Sequence, residues 1–244
     1  MGAFTLGRCQ TLAGGRYGVA ENWEIVKEKM AVFSRRAGRN PEDIKVVAVT
    51  KGVEVSKIEE ALSLGLTCLG ENRIQEALKK MPLLPEKIEW HFLGRLQKNK
   101  VKKVIEFFQY LHSLDSLSMG KELEKKAQDK NKKIPVLIQV NLTGRETQGG
   151  VQEEELLPLV WDVAQLSHLE LRGLMTIGPR GGKEQEVRKV FSRLRQLGEE
   201  INRNIPQVAL QELSMGMSDD FPWAILEGAT MLRLGRAIFG ERGK

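Results

Sequence analysis

The sequence predicts a (β/α)8 barrel, the TIM architecture of the α/β class, preceded by one extra helix. Three observations carry that prediction. Beyond residue 18, short β-branched or apolar runs alternate with longer segments of helical spacing, as in βαβ units. The runs number eight. Polar residues fall at their carboxyl ends, at Lys51, Asn72, His91, Ser113, Asn141, Thr176, Ser214 and Arg233, where such a barrel gathers its chemistry, and the strand starts show no comparable set. A doubly wound open sheet could use the same alternation; the polar residues favour the closed form.

The extra helix is predicted over Ala20 to Ala37, stopped by Gly38 and Pro41, and would cap one end of the barrel or pack on its side. The first strand, Lys45 to Thr50, is an unbroken apolar run of the kind buried on both faces, and a helix over Ser56 to Leu64 follows it. Strands over Thr67 to Gly70 and Ile88 to Leu93 come next, trailed by helices over Ile74 to Lys80 and Lys98 to Phe108. The unit then repeats, with strands over Tyr110 to Leu114, Pro135 to Asn141, Leu169 to Ile177, Leu210 to Ser214 and Met231 to Leu234. Helices over Ser116 to Lys130, Glu153 to Leu166, Glu184 to Asn202 and Asp220 to Glu227 separate them, each with caps or charge runs where solvent should lie.

The 244 residues, 41% of them apolar, suit one barrel domain over 19–244, with 1–18 as a loose, glycine-rich N-terminal extension. A net charge of +6 with both signs interspersed reads as an ordinary soluble surface. No apolar stretch approaches the ~20 residues needed to cross a bilayer. Two cysteines, Cys9 and Cys68, suggest neither a disulfide framework nor a paired-cysteine metal site and suit a reducing, cytoplasmic compartment. The three histidines are not spaced as metal ligands, and the basic run Lys98, Lys100, Lys102 and Lys103 lacks aromatic interleaving, so it reads as a solvated face rather than a nucleic-acid surface.

Lys51 ends the first strand and would face the barrel mouth. Burial there would disfavour its ammonium form and supply a free amine able to attack an aldehyde; a lysine snorkelling to solvent is the alternative. The loop Ser214-Met215-Gly216-Met217-Ser218-Asp219 after strand seven and Gly235-Arg236 after strand eight occupy the positions where barrels often bind phosphate. Glycines Gly216 and Gly235 would let backbone N–H groups approach the oxygens, a helix N-terminus would add partial positive charge, Ser214 or Ser218 would donate a hydroxyl, and Arg236 a full charge; an ordinary glycine turn is the alternative. Arg233, inside the last strand, must be paired or aimed at a ligand. Opposite a pyridine nitrogen it would donate a hydrogen bond without handing over a proton, which makes the ring a weak electron sink.

From about Ala20 to Gly240 the chain resembles the pyridoxal phosphate homeostasis proteins, single-domain relatives of the alanine racemase barrel and of its fold type III pyridoxal phosphate (PLP) binding. The resemblance rests on Ala48-Val49-Thr50-Lys51, Gly70-Glu71-Asn72-Arg73 with Gln75-Glu76, Trp90-His91-Phe92-Leu93-Gly94 with Leu96-Gln97-Asn99-Lys100, His112-Ser113-Asp115-Ser116, Arg172-Gly173-Leu174-Met175, Leu213 to Asp219, and Arg233 to Gly240. It implies a Schiff base between PLP and Lys51, Asn72 beside the ring, Ser214, Gly235 and Arg236 around the phosphate, and Arg233 near the pyridine nitrogen. Gln148 stands where the family usually has lysine, and the loop Gly178 to Gly182 is longer and more basic than usual.

Three functions compete: a non-catalytic PLP carrier in vitamin B6 and amino-acid homeostasis, a racemase-like PLP enzyme, and an RNA-binding accessory protein. Two-base racemisation needs a second proton donor, which related racemases take from a tyrosine of a further domain. Here no second domain is expected, and Tyr17 and Tyr110 lie in the extension and at a strand start. The expectation is therefore a monomeric carrier, with PLP as its ligand, apo-PLP enzymes as partners, and neither membrane nor nucleic acid.

Overall fold

The computed structural model describes residues 17–145 and 147–241, so most of the proposed extension lies outside the described residues. Eight parallel strands, β1 (Lys45–Val49), β2 (Cys68–Glu71), β3 (Glu89–Phe92), β4 (Tyr110–Leu114), β5 (Ile134–Gln139), β6 (Leu169–Met175), β7 (Glu212–Ser214) and β8 (Met231–Leu234), close in sequence order. The seam is parallel pairing of β1 with β8, Val47 beside Arg233. Helices α1 (Val19–Arg36), α2 (Val55–Ser63), α3 (Ile74–Lys80), α4 (Val101–Phe107), α5 (Leu117–Asp129), α6 (Glu153–Ala164), α7 (Glu184–Asn204), α8 (Phe221–Leu226) and α9 (Arg236–Phe239) surround it.

Most boundaries fall within two residues of the sequence reading, and the exceptions have local causes. The predicted helix over Lys98 to Phe108 opens as a 3-10 turn, Lys98–Lys100, before α4. β7 is shorter than predicted because Leu210 is claimed by a side chain: its N–H donates to Asn202 Oδ1 at 2.8 Å and its carbonyl accepts from Asn202 Nδ2 at 2.9 Å. The extra helix packs on the side of the barrel, against α8, α9 and α2, and Asn22 Nδ2 donates to the Ile238 carbonyl at 3.0 Å.

Two apolar regions form. The larger lies between sheet and helices, where α7 presents Val187, Phe191, Leu194 and Ile201 at helical spacing. The smaller, Tyr110, Leu137, Met175 and Met231, lies inside the cylinder. Val47 and Val49 also face inward, but polar and charged side chains share the lumen with these apolar ones, unlike the branched-aliphatic layers common in such barrels. Strand starts contribute Lys45, Glu89, Tyr110 and Glu212, which corrects the expectation that they carry no polar set: Lys45 Nζ donates to Glu89 at 3.1 and 3.2 Å, and the Tyr110 hydroxyl donates to Glu212. β4 and β7 are not neighbours in the sheet, so that last bond crosses the interior.

Candidate functional site

The carboxyl ends of the strands open into a cleft of about 930 Å³ lined by Lys51, Asn72, Ser218, Arg233, Gly235 and Arg236, together with the loop Gly178 to Gly182. Six of the eight residues expected to bind a cofactor thus share one cavity. Ser214 and Gly216 do not line it. The register of β7 turns Ser214 inward, where its hydroxyl is fully buried between Arg233 Nη1 at 2.7 Å and His112 Nδ1 at 2.9 Å. Gly216 has φ +91°, and a Cβ there would stand 2.5 Å from Ala224 Cβ, so this glycine serves the packing of α8 beneath the loop.

Lys51 is half-buried on the turn after β1 and forms no ion pair among the described residues. Its two neighbours are held by a clamp that the sequence reading quoted but gave no role. Lys80 Nζ donates to the Thr50 carbonyl at 2.6 Å, to Glu71 Oε1 at 2.7 Å and to Glu76 Oε1 at 2.8 Å. Thr50 Oγ1 donates to Glu71 Oε1 at 2.8 Å, and the Gly52 N–H donates to Glu76. Burial pushes the Glu71 carboxyl up against the pull of Lys80 and Thr50, whereas Glu76, less buried, is held below its ordinary range by Lys80 and the Gly52 N–H. Both backbone residues flanking Lys51 are thereby fixed from outside the barrel.

Asn72 is exposed at the end of β2, and its backbone leans on Gly94, where a Cβ would stand 2.2 Å from the Asn72 carbonyl oxygen. Gly94→Ala should therefore displace Asn72 and cost about 1–3 kcal/mol, as overpacking does; urea denaturation midpoints of the two proteins measure it.

Arg233 forms the floor. It is buried, donates from Nη2 to the Thr176 carbonyl at 2.8 Å as well as to Ser214, and burial brings its pKa down to about 10 despite Asp220 nearby. The loops after β7 and β8 are clasped by the Ala237 N–H donating to Ser218 Oγ at 3.0 Å. The backbone N–H groups of Ser218, Asp219, Gly235 and Arg236 have no protein acceptor among the described residues. The helices that follow, α8 and α9, have six and four residues, so free N–H groups rather than a helix dipole carry the polarity here. The Arg236 guanidinium is turned to Asp219 and, at 3.5 Å, to Glu241.

The other polar strand ends shape the rim. Ser113 donates to the Gly94 carbonyl, Asn141 to the carbonyls of Arg145 and Gln148, and Thr176 to that of Val140. Gln148 reaches across to the Ile177 carbonyl at 3.0 Å and so ties the loop after β5 to the end of β6. His91, expected at the mouth, instead turns Nε2 down toward Glu89 at 3.1 Å. Cys68 Sγ, a Glu89 oxygen and a ring nitrogen of His91 lie within 4.8 Å of one another, but His91 and Lys45 already occupy the Glu89 carboxylate, holding it down at about 2, and burial with Glu89 pushes the Cys68 thiol up to about 12.

The family described as alanine racemase, N-terminal domain, matches residues 22–243. Among curated proteins, the pyridoxal phosphate homeostasis protein of Aquifex aeolicus is 44% identical over 223 residues, 91% of this chain and 97% of that one. That of Haemophilus influenzae is 35% identical over 227 residues, covering 92% and 96%. The structure of PipY from Synechococcus elongatus PCC7942 with PLP bound is 34% identical with a TM-score of 0.81, over 91% of this chain and all of PipY. Alanine racemase of Clostridium difficile 630, 15% identical with a TM-score of 0.72 over 92% of this chain and 58% of its own, shares the fold. A closed eight-stranded barrel, a lysine at the end of its first strand and near-complete coverage of relatives up to 44% identical leave one assignment: the chain belongs to the pyridoxal phosphate homeostasis protein family.

Proposed function

We propose that this protein holds PLP in the cleft, through the Lys51 amine, and serves intracellular vitamin B6 and amino-acid homeostasis without turning over a substrate. The observation that carries the reading is that one cavity joins Lys51, Arg233 and the clasped loops at Ser218 and Gly235. Its volume of about 930 Å³ admits a small aromatic phosphate ester. PLP supplies an aldehyde that an amine captures reversibly, and a phosphate dianion. The residues present fit that group. Lys51 offers the amine, Ser218 a hydroxyl, and Ser218, Asp219, Gly235 and Arg236 offer unpaired backbone N–H groups; Arg233 directs a permanent donor into the floor, and Asn72 stands at the rim. Arg236 contributes its backbone and, when released from Asp219, its charge.

The non-catalytic reading is supported by what surrounds the cleft. Among the described residues no tyrosine lines it, and the Tyr110 hydroxyl is spent on Glu212 at the far end. Arg233 cannot pass a proton to a ring nitrogen, which disfavours carbanion chemistry. In this reading the protein is a cytoplasmic, monomeric carrier that passes PLP to apo-enzymes; among the described residues no helix is long and apolar enough to cross a membrane. The test is a visible spectrum followed by borohydride reduction and peptide mapping. A yellow protein labelled at Lys51, and no racemisation or decarboxylation across a panel of L-amino acids, is the expected result; a colourless folded protein, or rapid turnover of any of them, would overturn it.

A further inference from the structure

A continuous polar chain runs down the lumen from the cleft to the opposite end of the barrel. Arg233 Nη1 donates to Ser214 Oγ at 2.7 Å, Ser214 Oγ lies 2.9 Å from His112 Nδ1, and His112 Nε2 lies 2.7 Å from His91 Nδ1. His91 Nε2 then stands 3.1 Å from Glu89 Oε1, close to the carboxylate but short of the aligned geometry of a hydrogen bond. Ser214, His91 and His112 are fully buried.

The guanidinium end fixes the direction of the three hydrogen bonds, and the carboxylate beside His91 Nε2 agrees with it. A guanidinium only donates and a carboxylate only accepts. Ser214 therefore accepts from Arg233 and sends its own hydrogen to His112 Nδ1. His112 carries its proton on Nε2 and gives it to His91 Nδ1, and His91 in turn carries its proton on Nε2, toward Glu89. Both rings are neutral: burial pushes each below the ordinary imidazole range, further for His112, whose surroundings include His91 and Arg233. The reverse arrangement would aim a hydroxyl hydrogen at a guanidinium and a bare ring nitrogen at a carboxylate.

We propose that Glu89, through His91, His112 and Ser214, is a positioning residue for Arg233, which it reaches across the whole lumen. The chain makes Ser214 an obligate acceptor, and together with the Thr176 carbonyl it pins two guanidinium nitrogens so that the remaining N–H groups face the cleft. Arg233 has no hydrogen-bonded carboxylate among the described residues, so the one at the far end of the chain supplies the polarity instead. What Arg233 then contacts rests on the PLP reading above; the orientation itself belongs to the protein alone.

The test is nitrogen-15 NMR of histidine-labelled protein free of ligand. His91 and His112 should each show a single protonated nitrogen, Nε2, at neutral pH. Glu89→Ala should leave His91 a mixture of tautomers and shift the His112 signals, while Glu89→Gln, which keeps an acceptor, should restore both. A proton on Nδ1 of His112, a cationic ring, or His112 signals that ignore Glu89→Ala would each overturn the proposal. Should Glu89→Ala not fold, the tautomers of the unsubstituted protein and of Glu89→Gln decide alone. In protein loaded with PLP, Glu89→Ala should move the visible maximum and Glu89→Gln should not; an unmoved maximum counts against the proposal. Absence of any visible band in the unsubstituted protein instead refutes the cofactor reading, and the tautomers then judge the chain by themselves.

Discussion

Lys80→Ala is expected to destabilise the fold by about 3–5 kcal/mol, because it leaves the fully buried Glu71 carboxylate without its cation. Thr50 Oγ1 alone would then face that charge. The deficit should depend on pH in a definite direction. Burial already raises the Glu71 carboxyl, and removing Lys80 raises it further. A group whose folded value lies above its unfolded one favours folding as it takes up its proton, so the variant should recover relative to the parent as pH falls from about 8 to about 5. Equilibrium unfolding in urea across that range measures it; a gap that widens toward acid contradicts the assignment. A double variant, Glu71→Gln with Lys80→Met, should regain most of the loss, since two apolar or neutral groups need no mutual compensation. Holding PLP should suffer alongside, because the clamp fixes Thr50 and Gly52 on either side of Lys51.

Lys51→Ala should have the opposite profile. The side chain is half-buried and unpaired among the described residues, so stability should stay within about 0.5 kcal/mol of the parent. Borohydride labelling and the yellow colour should vanish, and PLP affinity should fall by about a hundredfold or more, equivalent to about 2.8 kcal/mol. Some affinity should persist through the N–H groups and hydroxyl of the loops at Ser218 and Gly235, and added inorganic phosphate should compete for it. Fluorescence titration of both proteins with PLP, with and without phosphate, separates the two contributions; equal affinities would remove Lys51 from the site.

The closed barrel and the strand-end positions of Lys51, Asn72 and Arg233 were legible because alternation and strand-end placement are properties of single segments. Ser214 was not. In Ser-Met-Gly-Met-Ser both hydroxyls read alike, and only pairing of Ser214 with Met175 and Met231 turns the first one into the lumen. The inward-facing polar residues have a period in the sequence: Glu89 with His91, Tyr110 with His112 and Glu212 with Ser214 each stand at a spacing of two, one face of a strand. Glu71 in a run otherwise apolar signalled a buried charge in need of a partner, but nothing local named Lys80, nine positions on.

The bond from Asn22 to Ile238 spans 216 positions. In chain order α1 precedes every strand, yet α8 and α9, two of the three helices it packs against, and the Ile238 carbonyl come last. Part of its apolar stripe therefore stays uncovered until translation is nearly complete, and the long-range contacts that finish the barrel form late. A chain truncated before α8 would deprive the first helix of two of the three helices it packs against in the finished barrel.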